Sequence, residues 1–342
     1  MSGADGGVSP VAGALPRAHG RVRLLPPLVA LALLAGACVA TAMAVGSVSL
    51  SPGALLAVLR GDAPPLHATI VVELRMPRAL AAFGVGGLLA VAGALMQVLL
   101  RNPLADPYVL GLSGGAAVGA LAAMLAGLAA AAVSGAAFAG ALASTLLVFG
   151  LAHGTGSWTP TRLLLTGVVV AAGWGAVITF MLAVSPTERL PGMLYWLMGD
   201  LSYARSPWPA LLLLAAVCLA LVPLGRSLNV LARGPMQAAA LGVPVRGLEW
   251  SIYLVASLIT AMAVTTAGSI GFVGLVVPHM LRLVLGNDQR LILPAAALAG
   301  GGLLALADTL ARVMIAPEQL PVGVITALLG VPLFLFLLYR SR

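Results

Sequence analysis

Long apolar stretches, each about the length of one membrane crossing, alternate with short polar breaks along almost the whole chain. A helix rising about 1.5 Å per residue needs about 20 apolar residues to cross a hydrocarbon core of about 30 Å. Runs of this kind fall at roughly 27–46, 79–100, 108–130, 131–152, 163–184, 207–225, 249–268, 270–285, 291–313 and 320–339, which predicts ten spans. Lipid offers the backbone no hydrogen-bond partner, so these runs are expected to be helices. Glycine and alanine crowd them, as at 92–95 and 300–303. Small residues let helix backbones approach closely where lipid removes the hydrophobic drive. The pattern predicts an all-α polytopic membrane protein, with a cytoplasmic tail at 1–26 and a single membrane domain at 27–342.

Composition sharpens this. Of 342 residues, 61% are hydrophobic and 8% charged, against roughly 45–50% and about 25% in soluble domains. That excludes an ordinary water-soluble enzyme. Cys38 and Cys218 sit inside apolar runs, so neither a disulfide scaffold nor a metal site is expected. All 18 basic residues are arginine, and the formal charge is +8. In so apolar a chain this surplus orients the protein in a bilayer rather than gripping nucleic acid. Arg17, Arg21 and Arg23 precede the first run as they would in a signal peptide, but the run exceeds the usual apolar core of about 7–15 residues. Kept as a span with its tail inside, it puts both termini in the cytoplasm. Arg162, Arg226, Arg233, Arg246, Arg290, Arg340 and Arg342 then fall on the inner face, and Arg60, Arg75, Arg78, Arg189, Arg205 and Arg312 on the outer. With the tail included, the inside holds the larger share, as membrane orientation requires.

Several segments break the apolar pattern. At 73–78, GluLeuArgMetProArg sets two arginines at the start of the second span, where interfacial snorkelling is one reading. The other joins them to Arg312 as a cation cluster able to receive an acidic protein. Between Gln97 and Gly111, Pro103 and Pro107 with Arg101, Asn102 and Asp106 must interrupt the helix, either beside a pathway or as a plain turn. The loop at 226–247 predicts a short helix starting near Pro235 and stopping at Gly242, either filling a partner's groove or lying on the bilayer. Asp308 and Arg312, four apart, share a helix face, where pairing offsets the cost of a membrane charge. His279 suits a hydrogen bond to a backbone carbonyl better than ligation. No phosphate-binding loop and no catalytic cluster is found, so any ATP must be bound by another chain.

Together these segments resemble the FecCD-type permeases of bacterial ABC importers for iron-siderophore complexes, haem and cobalamin. The likeness covers nearly the whole chain from about residue 50. It runs through ArgMetProArg, GlnValLeuLeuArgAsnProLeuAlaAspPro, TyrTrpLeuMetGlyAspLeuSer at 195–202, GlySerIleGlyPheValGlyLeuValValProHisMetLeuArg at 268–282, AlaAspThrLeuAlaArg at 307–312 and LeuProValGlyValIleThrAlaLeuLeuGly at 320–330. The resemblance implies a type II importer architecture in the bacterial inner membrane. Its partners would be a second copy of the chain, two ATPase subunits that use ATP and Mg, and a periplasmic substrate-binding protein. It implies no cofactor, metal or catalytic residue in this chain. Arg75, Arg78 and Arg312 would meet acidic residues of the binding protein, and Gly234, Ala238, Leu241 and Gly242 would contact the ATPase. The fifth and tenth spans would line the path, making Thr166, Thr179, Ser185 and Thr326 candidates for weak contacts with cargo. Two positions depart from the family pattern: Pro235, where an acidic residue is frequent, and Gln319, where glutamate is usual. The cargo implied is siderophore-bound iron or haem, with cobalamin as the alternative. A different class, an ion-coupled carrier, would instead have Asp308 and His279 move protons.

Overall fold

The computed structural model describes residues 24–46, 50–153, 159–204 and 206–340. The tail with Arg17, Arg21 and Arg23, as well as Arg205 and Arg342, lies outside the described residues. Among those described, every regular element is helical. In chain order these are α1 (Leu25–Ala44), α2 (Pro52–Arg60), α3 (Pro65–Ala68), a π-helical segment (Thr69–Arg75), α4 (Met76–Leu99), a 3-10 turn (Pro107–Leu110), α5 (Leu112–Leu125), α6 (Ala130–His153), α7 (Pro160–Ala183), α8 (Leu190–Met198), a second 3-10 turn (Leu201–Tyr203), α9 (Trp208–Leu221), α10 (Gly225–Leu231), α11 (Pro235–Ala240), α12 (Val245–Ala267), α13 (Val273–Leu285), α14 (Gln289–Val313) and α15 (Val322–Arg340).

Among the described residues, six helices are long and apolar enough to cross a membrane: α1, α3 through α4, α6, α7, α12 and α14. A seventh candidate is the pair α9 and α10, bent by 72°. Pro223, which lies between them, cannot donate to the helix ladder. The remaining apolar helices α5, α13 and the apolar part of α15 are shorter, about 20–25 Å at the rise of a helix. Each expected run thus has a helix, but length and composition qualify only six or seven of them as spans.

The second run is longer than its apolar pattern suggests. Helix begins at Pro65 rather than near residue 79, so Arg75 and Arg78 sit within a 35-residue continuous helix rather than ahead of one. The π segment has a local cause. Pro77 has no N–H, and its ring crowds the carbonyl four residues back. The turn widens there, and Met76 N–H bonds to Val71 O, five residues away.

Helix α4 is the hub. Nearly every residue from Ala79 to Leu99 is buried, packed by α14, α12, α13, α9 and α1. Glycine makes the closest approaches possible: a Cβ on Gly86 would lie 2.2 Å from Gly300 O, and one on Gly93 would lie 1.7 Å from Gly274 O. The backbones therefore touch, as small residues permit in a membrane bundle. A second, smaller apolar cluster joins α5, α6, α7, α8 and α12 through residues such as Leu121, Ala137, Met193 and Trp196.

Candidate functional site

Helices α4 and α14 run the length of the bundle and carry polar groups at both ends. Arg78 and Gln97 are 19 residues apart on α4, about 28 Å at the helical rise. Asp288 caps the start of α14, and Asp308 and Arg312 lie near its finish. The molecule thus has two polar ends joined by an apolar shaft.

At the first end the three arginines expected to act together do meet. Arg75, Arg78 and Arg312 line one cleft of about 240 Å³ with Gly46, Pro317 and Gln319. Asp308, 1% exposed, is the centre of the cluster. Arg78 grips it with a fork, Nε to Oδ2 at 3.0 Å and Nη2 to Oδ1 at 2.9 Å. Arg312 Nε donates to the same carboxylate at 3.1 Å, across one helical turn as the spacing of four predicted. Arg312 Nη2 also donates to Ala42 O at 3.0 Å. Arg75 Nη1 donates to Ala44 O at 2.8 Å and Met43 O at 3.2 Å, the last carbonyls of α1. Cations at a helix C-terminus complement its partial negative charge.

This geometry changes the expected picture in one respect. Arg75 is 6% exposed, so it is anchored in the protein rather than held out as a free surface cation. Gly46 leaves the room, because a Cβ there would lie 2.6 Å from Arg75 Nη2. Arg78 and Arg312 are half-buried and remain at the cleft. Two partners of Arg78 were not identifiable from the sequence: Gln319 Oε1 accepts from Nη1 at 2.9 Å, and Asp200 lies 3.9 Å from Nη2. Asp200 sits in the quoted 195–202 motif and Gln319 is the noted departure, so the motifs marked both positions without disclosing their contact. Neutral Gln319 leaves three guanidiniums against Asp308 and the more distant Asp200.

At the opposite end, the 226–247 loop forms α10 and α11. Helix α11 starts at Pro235 and ends at Ala240, as predicted, with Gly242 at φ 77° just beyond it. Of the expected contact residues, Leu241 is 72% exposed, Gly242 is exposed and Gly234 is half-buried. Ala238 differs: it is fully buried, packed inward to seat α11 and not offered to a partner. Met236, which the motif comparison did not single out, is 85% exposed.

The path candidates divide. Thr179 is exposed on α7, with its hydroxyl bonded to Gly175 O at 2.9 Å. Thr166 and Ser185 are half-buried, and Ser185 Oγ meets Met193 Sδ at 3.1 Å. Thr326 is buried and bonds to Gly323 O at 3.0 Å, beside a small cavity against α13 and α14. Its hydroxyl is committed inside the protomer. His279 is half-buried on α13. Among the described residues, no three His, Cys, Asp or Glu side chains are grouped as a metal site.

Comparison with known proteins places this geometry. The profile of the FecCD transport family matches residues 31–340. The cobalamin import system permease protein BtuC of Halobacterium salinarum is 43% identical over 295 residues, 84% of this chain and 78% of that protein. The hemin transport system permease protein HmuU of Yersinia pestis is 41% identical over 283 residues, 80% of this chain and 84% of its own. The ABC transporter permease protein YvrB of Bacillus subtilis, itself uncharacterized, is 40% identical over 293 residues, 82% of each chain. A solved inward-facing structure assigned to the metal-chelate type of ABC transporter superposes with a TM-score of 0.80 at 30% identity, covering 92% of this chain and 98% of that one. With the family profile and the architecture matched over nearly the whole length, the chain belongs to the FecCD transport family, as a permease of an ABC importer.

Proposed function

We propose that two copies of this chain form the membrane path of an ATP-driven importer in the bacterial inner membrane, with both termini cytoplasmic, that carries an iron chelate inward. A periplasmic binding protein delivers the cargo to the cleft of Arg75, Arg78 and Arg312. Two ATPase subunits, which supply the ATP and Mg chemistry, grip α11 and the Leu241–Gly242 turn. Binding of ATP closes the ATPases, and the α11 segments move with them. The helices at the dimer axis then shift between outward and inward openings. The permease forms no covalent bond with its cargo, because its work is a shift of equilibrium between two states.

The observation that carries this reading is the arginine cleft at one end of a bundle whose other end presents an exposed short helix. Arg78 and Arg312 have their charge only partly offset by Asp308, which suits an acidic partner docking from outside. Asp308 is clasped by two guanidiniums. That suits a fixed counter-ion, and it weighs against the proton-carrier alternative. Siderophore-bound iron or haem is the proposed cargo. Cobalamin is the second, supported by the name and 43% identity of the Halobacterium relative.

The test is uptake into proteoliposomes holding the permease with its ATPase and internal ATP. Binding protein loaded in turn with labelled ferric siderophore, haem or cobalamin is offered outside. One cargo should enter, and its entry should stop without ATP or when Arg78 and Arg312 are both changed to glutamate. Uptake driven by a proton gradient without ATP would overturn the importer assignment.

A further inference from the structure

At the end of the bundle that bears α10 and α11, a cleft of about 760 Å³ opens between the final turns of α4 and α13 and the start of α14. Four guanidiniums line it: Arg101, Arg233, Arg282 and Arg290. Two carboxylates oppose them, Asp288 on the lining and Glu249 close enough to Arg101 to interact with it. Four cations against two carboxylates leave a surplus of two positive charges. Asp288 is already engaged by Arg290 at 2.6 Å and by Asn229 at 2.9 Å. Arg282 is tethered to Gln97 and to Ala94 O, which fixes its position at the wall. Arg101 and Arg233 are exposed, and Arg101 holds φ 48°, a left-handed conformation uncommon for this residue type.

A second observation points to a ligand with more than negative charge. Gln289, 2% exposed, lines the same cleft, and its Oε1 is buried with no hydrogen-bond partner. Buried acceptors in folded proteins are normally satisfied, and this one, on a residue that lines the cleft, has no donor from the protein. The surroundings say what kind of molecule would bring one. Leu283 and Val284 stand exposed directly after Arg282, and Leu104 is exposed next to lining residue Pro103. Exposed apolar side chains on the helix that carries Arg282, together with a cationic cleft at the end of membrane helices, fit a lipid with its headgroup in the cleft and its chains along the helices.

We propose that this cleft binds an anionic phospholipid whose headgroup carries a hydroxyl, of the phosphatidylglycerol type. The phosphate oxygens lie against Arg101, Arg233 and Arg282, which suits the planar fork of guanidinium. A glycerol hydroxyl donates to Gln289 Oε1, and the acyl chains follow Leu283 and Val284. The site does not depend on which cargo the protein carries, nor on the transport assignment itself.

The full-length protein in detergent micelles, titrated with short-chain phospholipids and followed by native mass spectrometry, tests this directly. Phosphatidylglycerol is expected to be retained at least about tenfold more tightly than phosphatidylcholine. The double variant Arg101→Asn with Arg233→Gln should abolish that preference, asparagine being at ease in the left-handed region. Gln289→Met should reduce phosphatidylglycerol to the level of phosphatidic acid, which lacks the glycerol hydroxyl. Equal retention of phosphatidylglycerol and phosphatidylcholine, or an unchanged preference in the double variant, would overturn the proposal. So would displacement of the lipid by equimolar inorganic phosphate, which would make the cleft a site for free anions.

Discussion

The two arginine-rich ends of the bundle solve opposite problems with the same side chain. At one end, Arg78 and Arg312 close around Asp308, so the carboxylate is inside and the cations surround it. At the other, Asp288 lies at the edge with Arg290, and the middle is an open cleft. The first arrangement is part of how α1, α4 and α14 are held together. The second also ties helices together, through Arg282 with Gln97 and through Asn229 with Asp288, but it leaves Arg101 and Arg233 exposed at the cleft. Charge counts along a sequence do not separate these cases, because burial of the counter-ion decides between them.

Neutralising each carboxylate in turn should give the largest contrast between the two ends. Asp308→Asn leaves two guanidiniums clustered without their counter-ion, and loss of one partner from a buried pair costs about 3–5 kcal/mol. Asp288→Asn at the other end should cost about 1 kcal/mol or less, as for a surface pair. Denaturation of the solubilised protein should rank them so, and equal losses would erase the distinction. Next in size is the shaft between the ends. Gly93→Ala must place a Cβ against Gly274 O, and overpacking of this kind costs about 1–3 kcal/mol. Gly135, with open space around its would-be Cβ, should accept alanine within about 0.5 kcal/mol in the same assay.

A smaller effect would sharpen the electrostatic side. Gln319→Glu puts a carboxylate where Gln319 Oε1 now meets Arg78. Binding of the proposed periplasmic binding protein should weaken by about 1 kcal/mol or less, with a flatter salt dependence of its on-rate. Surface plasmon resonance at two ionic strengths would read both. An unchanged salt dependence would argue that Arg78 is wholly structural. The smallest effect is a pH dependence at the open end. The Arg290 guanidinium, helped by the Asn229 amide, holds the Asp288 carboxyl down at about 2. Its stabilisation is therefore complete above the ordinary carboxylate value near 3.8 and fades as pH falls through about 2. Wild type and Asp288→Asn should converge in stability over that acid window, as acid titration by circular dichroism would show.

What could be read from the sequence followed from local physics. Run length gave the helices, proline gave the start of α11 and the break after α4, and the spacing of four gave the contact of Asp308 with Arg312. The extension of the second run back to Pro65 escaped because charged residues at 73–78 end an apolar window without ending a helix. The partners of Arg78 escaped for another reason: Asp200, Asp308 and Gln319 all lie far along the chain, the last two 230 and 241 residues away. No local pattern encodes such a meeting. The inward turn of Ala238 was equally hidden, since an alanine in a short helix of small residues carries no polarity to declare its face.

The burial of α4 bears on how such a machine can move. A helix enclosed on every side, with its backbone touching α13 and α14 at glycines, has no free direction in which to slide or rotate. In the proposed transport cycle it is the stationary frame. Displacement in that cycle then falls to helices that the chain itself leaves uncovered, such as α7, exposed along most of its length in the single chain.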